Sequence, residues 1–281
     1  MTHENEIARL HEAIKSADAV VVGAGAGLST AAGFTYSGER FERLFPDFIA
    51  KYGIRDIYSG GLFPFSSLEE YWAWWSRSIW CNRYEPAPKD TYDKLLRLLA
   101  GKEFFVITTN VDHQFQLAGF PKERLCYTQG DYGLGQCSEP CHDATYDNYE
   151  TVKRMVEEQH DMRVPTELVP YCPKCGKPMT MNLRIDGTFV EDADWHAAAE
   201  RYRDFLEAHE TGKVLYLELG VGGNTPVIIK YPFWRYTNAN PQATYACVNL
   251  GEEYVHQSIA DRSILVDADI DRVLDNLLEG R

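Results

Sequence analysis

Three groups of residues in this 281-residue chain have the types and spacing to do chemistry. Gly23, Gly25 and Gly27 lie in GAGAGLSTAAG, residues 23–33, directly after an apolar β-branched run and ahead of a helix-like segment. In that context glycines let backbone amides approach a pyrophosphate, and the helix N-terminus favours the anion. Small residues here also serve a tightly packed strand-to-helix connection, so position in the fold must decide. Asn110 and Asp112 follow the β-rich run EFFVITTN. Strand side chains repeat every second residue, so this carboxamide and carboxylate face one mouth. Cys137-x₃-Cys141 and Cys172-x₂-Cys175 put two thiolate pairs on two short turns, the pattern of a tetrahedral S₄ zinc site with no open position for catalysis. Cys81, Cys126 and Cys247 stand in helical or strand-like contexts and read as core residues.

The elements that must position these groups alternate in type. Ile7, Leu10, Ile14 and Ala17 keep helical spacing ahead of the strand Val20, Val21, Val22. Ser67, three before Glu70, opens an aromatic-rich helix over 66–80 with a capping-box pattern, and its aromatics require cover. A helix over 90–100 ends at Gly101 and leads into the strand 103–110. KVLYLELG (213–220), TYACVNL (244–250) and SILVD (263–267) read as buried parallel strands, and a last helix stops at Gly280. The pattern predicts an α/β fold, a Rossmann-type doubly wound parallel sheet with ligands at the carboxyl ends of its strands. Residues 131–189 change character, with four cysteines and few apolar runs, and form a small inserted zinc-binding module between 1–130 and 190–281.

Lys+Arg number 28 against Asp+Glu 42, a net charge of −14, which argues against nucleic acid as a partner. The amino-terminal segment lacks the apolar stretch of an export signal, and no 18-residue apolar run follows, so a cytoplasmic protein with no membrane partner is expected. A reducing compartment favours metal over disulfides for the paired cysteines.

GAGAGLSTAAGF, TTNVDHQFQLAG, TQGD, the cysteine pairs and VNL occur in the order and spacing of sirtuins, and the resemblance spans about residues 8–278. It implies NAD as substrate, with Ala24, Gly25 and Ala26 at its pyrophosphate and Tyr36 and Arg40 on the segment just after. Asn110 and Asp112 inherit the nicotinamide ribose and carboxamide. Gly220, Gly222 and Asn224 occupy the place of the family's GTS segment, Asn249 that of the adenosine-ribose asparagine, and Asp267-Ala268 the turn under the adenine.

The chain departs from sirtuins where they carry His-Gly, for it has Gln129-Gly130. Deacylation needs that imidazole to take a ribose proton, and an amide side chain cannot act as such a base. General-base catalysis contributes about 10²–10⁴-fold, so deacylation is expected to be crippled. Breaking the nicotinamide bond relies more on positioning and electrostatics, which Asn110, Asp112 and Gln129 can supply. The Gln-for-His combination resembles the macrodomain-linked class M sirtuins. That resemblance implies ADP-ribosyl transfer to a protein acceptor, a lipoylated relative of the glycine cleavage H protein, reversed by a macrodomain hydrolase in oxidative-stress signalling. The alternatives are a deacylase using another base such as His113, a non-catalytic sensor of NAD or ADP-ribose, and, more remotely, a dehydrogenase.

Overall fold

The structure is a computed structural model that describes residues 3–223 and 226–280. Nine strands are described: β1 (Ala19–Ala24), β2 (Glu103–Thr108), β3 (Leu125–Tyr127), β4 (Gly130–Cys137), β5 (Tyr146–Asp147), β6 (Met179–Leu183), β7 (Val214–Leu219), β8 (Thr244–Asn249) and β9 (Ser263–Asp267). Six of them form a parallel sheet in the order β3-β2-β1-β7-β8-β9. The chain winds outward from β1 through β2 to β3, then returns to lay β7, β8 and β9 on the other side. Strand order therefore reverses between β1 and β7, and the crevice beyond their carboxyl ends is where such sheets bind ligands.

The β-branched run that makes β1 is buried on both faces, as a central parallel strand must be. Val20, Val22 and Ala24 pack under the helices His3–Ser16, Thr91–Leu98 and Ile270–Glu279, while Val21 faces the opposite layer with Tyr216, Phe233 and Tyr245. That second layer is closed by the helices Ala193–Ala208 and Lys230–Ala239.

A separate core lies beside the sheet. Phe41, Phe45 and Phe48, on two short helices, pack with Trp72, Trp74 and Trp75 of the helix Leu68–Ile79, and with Tyr132, Val152, Met155 and Met181. The cluster thus draws on residues ahead of 131 as well as on the cysteine-bearing segment. The Trp74 ring lies 4.3 Å from Phe45 and 5.2 Å from Phe48, each such pair contributing about 0.5–1.5 kcal/mol beyond area burial. Ser67 Oγ accepts from the Glu70 amide, as the capping pattern predicts, and Glu70 is further held by Ser66, Lys51 and Arg163. The Ser66 hydroxyl first, then Lys51 and Tyr52, pull its pKa down to about 2 against the opposing effect of burial. The antiparallel sheet β5-β4-β6 completes this lobe.

Candidate functional site

Glycine is required in the first turn by close approach of two backbones. A Cβ on Gly25 would lie 2.6 Å from the Gly220 carbonyl oxygen, and one on Gly27 2.6 Å from Gly220 Cα. The Gly25 amide donates to Leu219 O at 3.0 Å and that of Gly27 to Gly220 O at 2.9 Å, so both face β7 rather than the crevice. Ala24 is buried at the end of β1, and its carbonyl accepts from the Thr109 amide. Ala26 opens the helix Ala26–Ala31, is exposed, and has no backbone acceptor for its amide among the described residues.

Asn110 and Asp112 follow β2 and are buried against this turn. Asn110 Nδ2 donates to Gly25 O at 3.0 Å. Asp112 Oδ2 accepts from Ser29 Oγ at 2.5 Å, and its Oδ1 accepts from the Gln114 amide. Burial pushes the Asp112 carboxyl up to about 6, against the pull of Ser29, Gln114 and Arg83. Gln129 comes from the neighbouring strand end, since the Thr128 amide bonds to Thr108 O of β2. Its carbonyl accepts from the Arg184 amide, and its half-buried side chain makes no hydrogen bond among the described residues, which leaves that amide to a ligand. Gly130 has a φ of 98°, and a Cβ there would sit 1.9 Å from the Asn182 carbonyl, so glycine must follow the glutamine.

The remaining expected residues are distributed along the same edge. Tyr36 is partly exposed, with its hydroxyl 3.3 Å from Tyr132 and within electrostatic reach of Asp112. Arg40 is tied to the carbonyls of Cys81 and Thr35 and stacks on Phe34, so it braces this segment. Gly220 and Gly222 follow β7, whereas Asn224 lies outside the described residues. Asn249 ends β8 with Nδ2 on Val221 O, Asp267 ends β9 and accepts from the Gly251 amide, and the Ala268 amide bonds to Asn249 O. The carboxyl ends of β1, β2, β3, β7, β8 and β9 thus carry the described residues expected at the nucleotide other than Tyr36 and Arg40, which lie on the segment after the helix Ala26–Ala31.

His113 is buried, with a left-handed backbone at φ 52°. Nδ1 lies 2.6 Å from Gln116 and 3.2 Å from Asp131, Nε2 has no hydrogen-bond partner among the described residues, and the residue lines a small enclosed space with Asn110, Tyr127 and Phe115. Burial lowers its pKa. A deacylase base at this position is therefore buried and already hydrogen-bonded. Asp131 instead couples His113 to Arg83, whose Nε donates to it at 2.8 Å, and Arg83 is carried inward by a π-helical turn, Trp80–Tyr84. Arg83, Asp131, Ser29 and Tyr92 went unassigned in the sequence, where nothing links partners so far apart.

The four cysteines converge at the end of β4. Their sulfurs all lie within 4.8 Å of one another, with Cys137 to Cys175 at 3.5 Å and Cys141 to Cys172 at 3.7 Å. A tetrahedron with 2.3 Å zinc–sulfur bonds has edges of about 3.8 Å, so the set fits zinc. Four protein ligands leave no position for substrate, which makes the metal structural. Chelation is expected to speed amide hydrogen exchange in β4, β5 and β6 while β1 and β7 stay protected. Equal loosening of both sheets would overturn that division.

No family model matches the chain. It is 43% identical over 272 residues to a protein ADP-ribosyltransferase of Staphylococcus aureus, covering 96% of this chain and 86% of that protein. It is 31% identical to a probable bifunctional ADP-ribose hydrolase/ADP-ribosyltransferase of Fusarium oxysporum f. sp. cubense, over 99% of this chain but 48% of that protein, so it spans about half of the fungal protein. Solved sirtuin structures share its fold. One of Sir2Tm bound to a propionylated peptide superposes with a TM-score of 0.61 at 18% identity, covering 96% of each chain. Another, of Sir2 with a p53 peptide and NAD⁺, gives 0.59 at 19% identity, again over 96% of each. The glycine turn, the Asn110–Asp112 pair and this level of identity place the chain in the family of protein ADP-ribosyltransferases built on the sirtuin fold.

Proposed function

We propose that the crevice between β1 and β7 binds NAD⁺ and that the enzyme transfers its ADP-ribose to a lipoylated, H-like carrier protein. The observation that carries this reading is the pairing of Asn110 and Asp112 with a Gln129 side chain that makes no hydrogen bond among the described residues, while the neighbouring His113 is buried. The bond from ribose C1′ to the pyridinium nitrogen breaks, nicotinamide leaves with the electron pair, and an acceptor nucleophile bonds to C1′ and loses its proton to solvent. Asp112, when ionised, opposes the positive charge that develops on the ribose, and Gln129 supplies hydrogen bonds that orient it. Asn249 and the Asp267-Ala268 turn hold the adenosine end, Gly220 and Gly222 line the middle, and Tyr36 and Arg40 close the segment over it. The fungal relative, whose name joins an ADP-ribose hydrolase to a transferase, supports a hydrolase partner that reverses the modification; that this partner is of macrodomain type and acts in oxidative stress is part of the proposal.

The test is incubation with adenylate-labelled NAD⁺ and a lipoylated carrier, repeated with Asn110→Ala and Gln129→Ala. Label on the carrier is expected, with a loss of about 10²–10³-fold in Asn110→Ala, the range seen when one oriented polar group is removed from a charged transition state. Steady nicotinamide release with an unlabelled carrier would instead mark a hydrolase.

A further inference from the structure

Tyr92 carries no role in the reading above, yet it bonds to Ser29, the partner of Asp112. It lies in the first turn of the helix Thr91–Leu98, 2% exposed, with its ring edge-on to Phe115 at 4.9 Å. Its hydroxyl is 3.0 Å from Ser29 Oγ. Burial first of all, then the charge of Asp112, raises its pKa well above the ordinary value, so the hydroxyl keeps its proton at any working pH.

Counting donors fixes the direction of every bond. Ionised Asp112 only accepts, so the single Ser29 proton goes to Asp112 Oδ2. Ser29 can then only accept from Tyr92, whose own proton is thereby committed. Asn110 Nδ2 donates separately to Gly25 O.

We infer that Tyr92 is a positioning residue: its hydroxyl donates to Ser29, which donates to Asp112, and this one-way relay holds the Asp112 carboxylate in place at the crevice. Without the Tyr92 hydroxyl, Ser29 loses the donor that fixes it and Asp112 Oδ2 loses a fixed partner. The inference rests on the proposed NAD⁺ site.

The test compares wild type, Tyr92→Phe, Ser29→Ala and the double variant by calorimetric NAD⁺ titration and by kcat and KM for nicotinamide release. Tyr92→Phe keeps the ring, and leaving buried polar groups unpaired is expected to lower kcat/KM about 10- to 100-fold. KM and Kd should carry much of that change. Because one chain is broken at two points, the double variant should be no worse than Ser29→Ala alone. Losses that multiply, or a Tyr92→Phe enzyme within twofold of wild type in both Kd and kcat/KM, overturn the role. Should Tyr92→Phe not fold, Ser29→Ala reads the same chain one bond along, and unchanged Kd and kcat/KM there overturn it equally. A wild type that fails to bind NAD⁺ refutes the site itself, an outcome distinct from a wild type that binds and variants that match it.

Discussion

Replacing Lys230 by alanine is expected to lower unfolding free energy by about 3–5 kcal/mol, the cost of stranding a buried charge, read as a fall in the urea midpoint at unchanged slope. Lys230 and Glu218 are both fully buried, with Nζ 2.5 Å from Oε1. Glu218 Oε2 accepts from the Tyr245 hydroxyl at 2.7 Å, and the Lys230 ammonium sits 4.6 Å over the Tyr254 ring. Glu218 stands two residues before Gly220 on β7, and Lys230 begins the helix after residue 229. The pair therefore joins both ends of the glycine segment beside the crevice, and through Tyr254 it reaches the segment after β8. Removing the ammonium leaves a carboxylate that must be protonated or hydrated in a dry layer of Val21, Ile107 and Cys247. Removing both charges should cost much less, because well-packed neutral groups replace a buried ion pair with little penalty. Lys230→Met with Glu218→Gln should thus recover most of the loss. A single variant within about 1 kcal/mol of wild type would show that water reaches the pair, since a solvated ion pair contributes only that much.

How much of this was legible in the sequence depended on the range of the interactions. The central strands announced themselves because a buried parallel strand is a continuous apolar run, and Val20 to Val22 or Leu215 to Leu219 leave little choice. Strand β3 has three residues, and β5 two, too short for any period. Phe41, Phe45, Phe48 and Tyr52 do carry helical spacing, but Pro46 splits them into two helices of six and seven residues, and neither was expected. The helices Ala193–Ala208 and Lys230–Ala239 have modest amphipathicity and went unread for the same reason. At the site, Asn110 and Asp112 were legible because two residues after one strand share a mouth. Ser29 and Tyr92 were not, since they meet across 63 positions, and Arg83 meets Asp131 across 48. The reason for Gly25 and Gly27 was also only partly legible, because the clash they avoid is with Gly220, just after a strand much later in the chain.

Asp112→Asn is expected to stabilise the fold at neutral pH while abolishing measurable transfer. A carboxyl whose pKa is raised from 3.8 to about 6 by burial is favoured in its protonated form by the folded state. The stabilisation is therefore fully present below the unfolded value near 3.8 and is lost as pH rises through about 6. Above that, the native protein holds an ionised carboxylate that the unfolded chain would rather hydrate, a cost of about 3 kcal/mol from the shift. Asparagine has no charge to bury, and its Oδ1 still accepts from Ser29 or from the Gln114 amide. The variant should accordingly exceed wild type in Tm at pH 7.5, with the gap closing as pH falls from 6 to 4. Activity should move the other way, for a neutral amide cannot oppose the positive charge developing on the ribose, and labelling of the carrier should fall by at least the factor expected for Asn110→Ala. A protein that keeps an ionised acid in a dry site at the expense of its own stability is holding a charge for chemistry. An Asp112→Asn enzyme with wild-type transfer, or a Tm gap independent of pH, would assign Asp112 to structure, with Ser29 and Tyr92 as the partners of a core carboxylate.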